Sequence, residues 1–157
     1  MTTKNSELTE GQPAPDFRLM SDDGKEYSLS QFKGKKEIVL YFYPKDDTPG
    51  CTKEACSFRD NFPHFTKNGV QLLGVSTDDL ESHGKFRKKY DLNFPLLSDP
   101  DHKVADAYGA YKLKNNYGKD YWGIERSSFI IDKDGKIKKI FRRVKVDGHT
   151  EEILSNL

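Results

Sequence analysis

Cysteine is scarce in this chain: Cys51 and Cys56 are the only two among 157 residues. The first residues, Met1-Thr-Thr-Lys-Asn-Ser6, lack the apolar core of a signal peptide. The expected compartment is therefore the cytosol, where thiols are kept reduced and a structural disulfide is disfavoured. A zinc site usually wants four ligands, and the histidines (His64, His83, His102, His149) are scattered singly. The C-x-x-C spacing of a thioredoxin-type dithiol is also missing. No apolar run approaches the ~20 residues of a membrane span. Net charge is nearly absent as well: 26 Lys+Arg against 25 Asp+Glu leave +1, so no global field recruits nucleic acid or acidic lipid. Hydrophobic residues are sparse at 34%, where roughly 45–50% is usual on a slightly different residue set. Ten Phe, eight Tyr and one Trp nevertheless supply the bulk of a core, which excludes disorder along the whole chain.

What is present reads as one α/β domain spanning residues 1–157, without repeats or low-complexity stretches. A lead-in ends at Pro13-Ala-Pro15. Phe17–Met20 and Glu26–Ser28 flank Ser21-Asp-Asp-Gly24 as a predicted hairpin. Glu37-Ile-Val-Leu-Tyr-Phe-Tyr43 is a near-continuous apolar run, the pattern of a strand buried on both faces. After a polar loop, Pro44-Lys-Asp-Asp47, a helix is predicted from Pro49 to Phe65, then a buried strand over Gln71–Ser76. Leu80–Tyr90 reads as a charged helix, Phe94–Leu97 as a short strand and Lys103–Tyr108 as a short helix. Ser127–Asp132 and Lys136–Val146 face each other across Lys133-Asp-Gly135 as a second hairpin, and a capped helix starts at Thr150. Alternating strands and helices followed by a hairpin predict a mixed central sheet flanked by helices, compatible with a thioredoxin-like sandwich.

Spacing alone leaves Cys51 and Cys56 as either two inert core thiols or a reactive pair. The surroundings separate these readings. Thr48 is placed to cap the helix, and Pro49 takes the first helical position, where its missing N–H costs nothing. Cys51 then lies in the first turn, where unpaired amides and the positive end of the helix dipole favour a thiolate, the form that attacks an oxidant. Cys51, Ala55, Phe58, Phe62 and Phe65 recur at helical spacing as one apolar stripe. Cys56 lies about 140° round the helix from Cys51, with a Cα separation of roughly 8–9 Å, beyond the ~7 Å limit for a disulfide. The two cannot be joined while the helix is intact. Pro63 removes one helical hydrogen bond and disfavours helix at Phe62, and so helps delimit any unit that unwinds.

Pro44-Lys-Asp-Asp-Thr48-Pro-Gly-Cys51 resembles the peroxiredoxin signature Pro-x-x-x-Thr-x-x-Cys. The longer run Tyr41–Cys56 is similar to the Q-type subfamily, also called bacterioferritin comigratory protein, whose second cysteine often stands five residues after the first. Similarity continues through Gly11–Phe17, Gly74–Ser76, Phe94–Asp99 and Gly123–Asp132. The resemblance implies a thioredoxin-like fold and reduction of hydrogen peroxide and organic hydroperoxides without haem or metal. It assigns Cys51 as peroxidatic and Cys56 as resolving cysteine, joined in a disulfide that a thioredoxin-type dithiol reduces. Thr48 would hydrogen-bond the attacking sulfur or the peroxide, Pro44 would shield the sulfenic acid, and Arg126 would stabilise the thiolate and polarise the peroxide. Glu54 matches an acidic position of the family, although its pattern alone predicts a solvated helix residue. Arg126, read without the family, is an ordinary surface arginine. Members of the subfamily are often monomeric, so a monomer is the expected state.

Two other functions compete. A protein disulfide oxidoreductase on the same fold would use Cys51 and Cys56, but it lacks C-x-x-C. A nucleic-acid binder is suggested by Lys136–Lys145, six of whose ten residues are basic. Lysines on a strand commonly keep an edge from pairing with other chains, which favours the solvated reading. The aromatics Tyr108, Tyr111, Tyr117, Tyr121 and Trp122 precede Arg126 with three roles open: a wall of the site, a dimer surface or core.

Overall fold

The computed structural model describes residues 8–157. The chain opens with an antiparallel pair, β1 (Arg18–Met20) and β2 (Glu26–Ser28), and a single turn, α1 (Leu29–Phe32). The central strand β3 (Glu37–Phe42) follows, then α2 (Pro49–Asp60) and α3 (Phe62–Lys67). After them come β4 (Val70–Ser76), α4 (Leu80–Tyr90), β5 (Leu96–Ser98) and α5 (Lys103–Ala107). A hairpin of β6 (Tyr111–Asn116) and β7 (Lys119–Ile124) precedes β8 (Ser127–Ile131), β9 (Ile137–Arg142) and the last helix, α6 (His149–Leu154). The main sheet has the order β5-β4-β3-β8-β9, with β3, β4 and β5 parallel and β8 and β9 antiparallel to their neighbours. This is the mixed α/β sheet expected from the sequence, with the predicted N-terminal hairpin in place.

The apolar run of β3 is explained by its central position. Ile38, Leu40 and Phe42 point into a core closed by α1, α5 and Tyr108. Val39 and Tyr41, with Tyr43 beyond the strand end, point into a second core with Cys51, Ala55, Phe58, Phe65 and Phe86. Alternation across the pleat therefore buries both faces. The second core carries α2, so the helix holding both cysteines is docked on the middle of the sheet.

Several details differ from the sequence expectation. The helix predicted from Pro49 to Phe65 breaks at Asn61 into α2 and α3. Pro63 has no N–H for the Arg59 carbonyl, and that oxygen takes the Asn93 side-chain amide instead. The strand predicted to reach Val146 ends at Arg142, because Arg143 turns into the left-handed region (φ 49°). Helix α6 starts at His149 behind Gly148, without a side-chain cap. The Thr150 hydroxyl instead shares a 2.7 Å hydrogen bond with Ser57 of α2. The β6–β7 hairpin was not expected; it turns through Tyr117 and Gly118, both at positive φ.

The basic run lies on β9, the sheet edge, as the solvated-face reading requires. The lead-in covers part of that edge, with Ile137 N–H donating to Gln12 O and Gly11 N–H to Ile137 O. Arg142 donates to the carbonyls of Tyr108 and Gly109. The aromatics before Arg126 divide. Tyr108 is core and donates to Pro15 O at 2.6 Å. Tyr111 stacks between His102 and Trp122, and Tyr117 is 98% exposed.

Gly74 marks a close approach: in the β3–β4 register it faces Tyr41, and a Cβ there would lie 2.9 Å from the Tyr41 ring. Both residues are buried, so Gly74→Ala should cost about 1–3 kcal/mol through overpacking. Urea unfolding checks this, and unchanged stability would contradict the packing of Tyr41.

Candidate active site

The site begins where β3 delivers the chain into the loop before α2. Thr48 is the N-cap residue in extended conformation, and Pro49 and Gly50 are the first two helical positions. Cys51 is thus the third helical residue, in the turn whose N–H groups have no intrahelical acceptor. Its side chain is buried at 2% exposure, deeper than the partial shelter expected at the end of an apolar stripe. The capping expectation for Thr48 is corrected: its hydroxyl donates to the Lys45 carbonyl at 2.9 Å and makes no cap bond. Pro44 is half-buried directly after Tyr43.

Arg126 reaches this point from the other side of β3. Phe42 pairs with Ser127 in the antiparallel β3–β8 register, so the residue before Ser127 emerges beside the start of the loop. One guanidinium nitrogen of Arg126 lies 3.4 Å from Cys51 Sγ, and the other donates to Glu54 Oε1 at 2.6 Å. Gly50 lies against the guanidinium: a Cβ at that position would come within 3.2 Å of Arg126 Nη2, a tight contact that the guanidinium would have to relieve by a few tenths of an ångström. The surface-arginine reading is therefore overturned: the side chain is only 16% exposed.

Glu54 corrects a third expectation, because it is not solvated. It lies one turn after Cys51, 2% exposed, and its Oε2 has no hydrogen-bond partner. The buried Tyr41 hydroxyl, on the strand beneath α2, has none either. Burial pushes the Glu54 carboxyl up to about 7, and the charge and hydrogen bond of Arg126 limit the rise. Arg126 loses some basicity to burial, but Glu54 and Cys51 more than restore it and hold it above its ordinary value. The result is a fixed cation facing one sulfur and one carboxyl that ionises near neutrality.

Cys56 is half-buried, and both cysteines are free thiols. They belong to one unbroken helix, as the spacing requires. That helix is tied down by a Lys53–Asp147 ion pair, the Ser57–Thr150 hydrogen bond and Arg59 donating to Tyr90 O at 2.6 Å.

Sequence reasoning missed a polar cluster under the loop. Asp46 and His83 are buried and paired at 2.7 Å. The four histidines were read as scattered because the partner of His83 lies 37 residues away. Among the described residues, no helix is long and apolar enough to cross a membrane.

The Glu54 geometry sets a pH test. The fold raises this carboxyl from 4.5 to about 7, so between those values the unfolded chain has released a proton that the folded chain keeps. The associated stability is therefore present at low pH and is lost as pH rises through about 7. Glu54→Gln should remove a slope worth roughly 3 kcal/mol across that window. Denaturant unfolding of both proteins from pH 4.5 to 8 reads it, and parallel pH profiles would contradict the burial of an ionisable carboxyl.

Comparison with known proteins identifies the family. Residues 10–140 match the model of the AhpC/TSA family. Peroxiredoxin Bcp of Bacillus subtilis is 54% identical over 147 residues, covering 94% of this chain and 93% of that protein. A putative peroxiredoxin bcp of Coxiella burnetii is 52% identical, covering 94% and 97%. Among solved structures, Xanthomonas campestris bacterioferritin comigratory protein, studied for alkyl peroxide reduction, aligns with TM-score 0.87 and 39% identity over 94% of this chain and 96% of that one. A Xylella fastidiosa PrxQ mutant aligns with TM-score 0.89 and 37% identity, covering 96% and 95%. The chain belongs to the AhpC/TSA family, and within it to the Q-type peroxiredoxins, the bacterioferritin comigratory proteins, with their thioredoxin-like fold.

Proposed function

We propose that, in this thiol-dependent peroxidase, Cys51 is the peroxidatic cysteine and Cys56 the resolving one, within a single chain. The observation that carries this reading is the Arg126 guanidinium set between Cys51 Sγ and Glu54 at the start of α2. A fixed cation and the first-turn amides of Gly50 and Cys51 stabilise negative charge as the O–O bond breaks. The Thr48 hydroxyl donates to Lys45 O, so its oxygen is left to accept a hydrogen bond from the peroxide O–H. Pro44 limits water at the sulfenic acid.

In the first step the Cys51 thiolate attacks one peroxide oxygen, the O–O bond breaks, and sulfenic acid forms. The leaving oxygen takes a proton and departs as water, or as alcohol from an organic hydroperoxide. The start of α2 then unwinds, and Cys56 attacks the Cys51 sulfur, forming the disulfide and a second water. A dithiol of the thioredoxin type reduces that disulfide by exchange and is itself oxidised. Low exposure of Cys51 suits a small peroxide entering a shaped site, whereas exchange with a protein dithiol waits for the opened helix. The enzyme acts as a cytoplasmic monomer, a reading supported by its subfamily resemblance.

Three variants separate the roles. Cys51→Ser should abolish peroxide consumption, and retained activity would sink the scheme. Cys56→Ser should still form sulfenic acid after one equivalent of peroxide but lose turnover with thioredoxin; sustained turnover would assign resolution elsewhere. Arg126→Met should lower the second-order rate constant with hydrogen peroxide about a hundredfold, the scale seen when one charge-stabilising donor is removed. Stopped-flow oxidation of the reduced proteins measures it.

A further inference from the structure

The loop that presents Thr48 and Cys51 is gripped from behind by a buried hydrogen-bonded pair that none of the steps above uses. Asp46, 7% exposed, receives three donors: the Tyr43 hydroxyl on Oδ1 at 2.6 Å, and the Ser82 hydroxyl and His83 Nδ1 on Oδ2, both at 2.7 Å. His83 is fully buried on α4, and its Nε2 lies 2.8 Å from the Leu97 carbonyl of β5. A carbonyl oxygen only accepts, so Nε2 carries a hydrogen, while Nδ1 faces the Asp46 carboxyl. Burial alone would lower the basicity of the ring, but the hydrogen bond and charge of Asp46, the Leu97 carbonyl and the charge of Asp78 outweigh that and raise it.

The cage is closed on the loop side as well. The Asp46 amide donates to Asp78 Oδ2 at 2.8 Å, and the same oxygen accepts from the Ser76 hydroxyl at the end of β4. The next residue, Asp47, sits in the left-handed region (φ 58°) and accepts from Lys89 and Tyr90 of α4. Asp46, Asp78 and His83 place ligand-type atoms within 4.8 Å of one another. Both ring nitrogens are already engaged, however, so the cluster is a hydrogen-bonded clamp.

We infer that His83 is a positioning residue for the peroxide reaction: as the buried ring that ties Asp46 to the Leu97 carbonyl of β5, it fixes the loop that holds Thr48 and Cys51 in the peroxide-reactive arrangement. The inference rests on Cys51 being the residue that meets peroxide. Loosening the clamp frees the loop and the first turn of α2 together. The conformation that reacts with peroxide then loses population to the opened one, in which Cys56 reaches Cys51. The two chemical steps therefore move in opposite directions, which a general loss of stability would not produce.

His83→Gln removes the ring that bridges Asp46 and Leu97 while keeping a side-chain amide. In rapid-mixing oxidation of the reduced full-length protein, its second-order rate constant with hydrogen peroxide should fall at least about tenfold, the scale of a misplaced reacting group. Its subsequent disulfide closure should be as fast as wild type or faster. Ser82→Ala, which deletes one donor to Asp46 at a half-buried helix position, should give the same split on a smaller scale and serves if His83→Gln does not fold. Wild-type oxidation rates in both variants, or proportional slowing of both steps, would overturn the inference. Wild-type protein that forms no sulfenic acid would overturn it together with the peroxidatic reading of Cys51.

Discussion

The guanidinium of Arg126 is the interaction around which the site is organised. It lies within reach of a buried sulfur and a buried carboxyl at once. A buried ion pair is seldom a net source of stability, because desolvation offsets the attraction. Here the Glu54 carboxyl is pushed up to about 7 despite its partner, so the arrangement is held in place by the fold around it. On the proposed assignment its value lies in chemistry: a positive charge is fixed before the peroxide arrives and needs no reorganisation when negative charge develops.

What fixes the charge is the sheet. The β3–β8 register sets Ser127 opposite Phe42, and this places the arginine before Ser127 next to the loop that leaves β3. The same strand β3 seats Tyr41 beneath α2, with Gly74 making room for the ring. At the other end of the loop, Asp46 is locked to α4 and β5 through His83. Cys51 is thus positioned by three separate parts of the fold, and the helix that carries it is docked on the sheet through Cys51, Ala55 and Phe58. Exposed ion pairs such as Lys53–Asp147 contribute only ~0–1 kcal/mol.

Local signals made much of this legible in the sequence. The apolar run of β3, the turn residues of the two predicted hairpins and the Thr-Pro-Gly-Cys helix start are short-range patterns, and the elements they predict are present. Glu54 and His83 were not legible, because burial of a charged group depends on a partner distant in sequence: Arg126 is 72 residues from Glu54, and Asp46 is 37 from His83. The β6–β7 hairpin escaped for a different reason. Its two strands show no clean alternation of buried and exposed residues, since Leu113, Tyr121 and Trp122 all face solvent. Pattern reading depends on a buried face, and this hairpin has almost none.

The central claim is that Cys51 reacts with peroxide and that Cys56 then closes on it within the same chain. Reduced protein treated with one equivalent of hydrogen peroxide, followed by thiol counting and intact mass without reductant, tests it most directly. The expected product is monomeric, has lost both thiols and is lighter by two hydrogens. A species carrying one added oxygen with Cys56 still free would contradict resolution by Cys56, and no rapid reaction at all would contradict the role of Cys51.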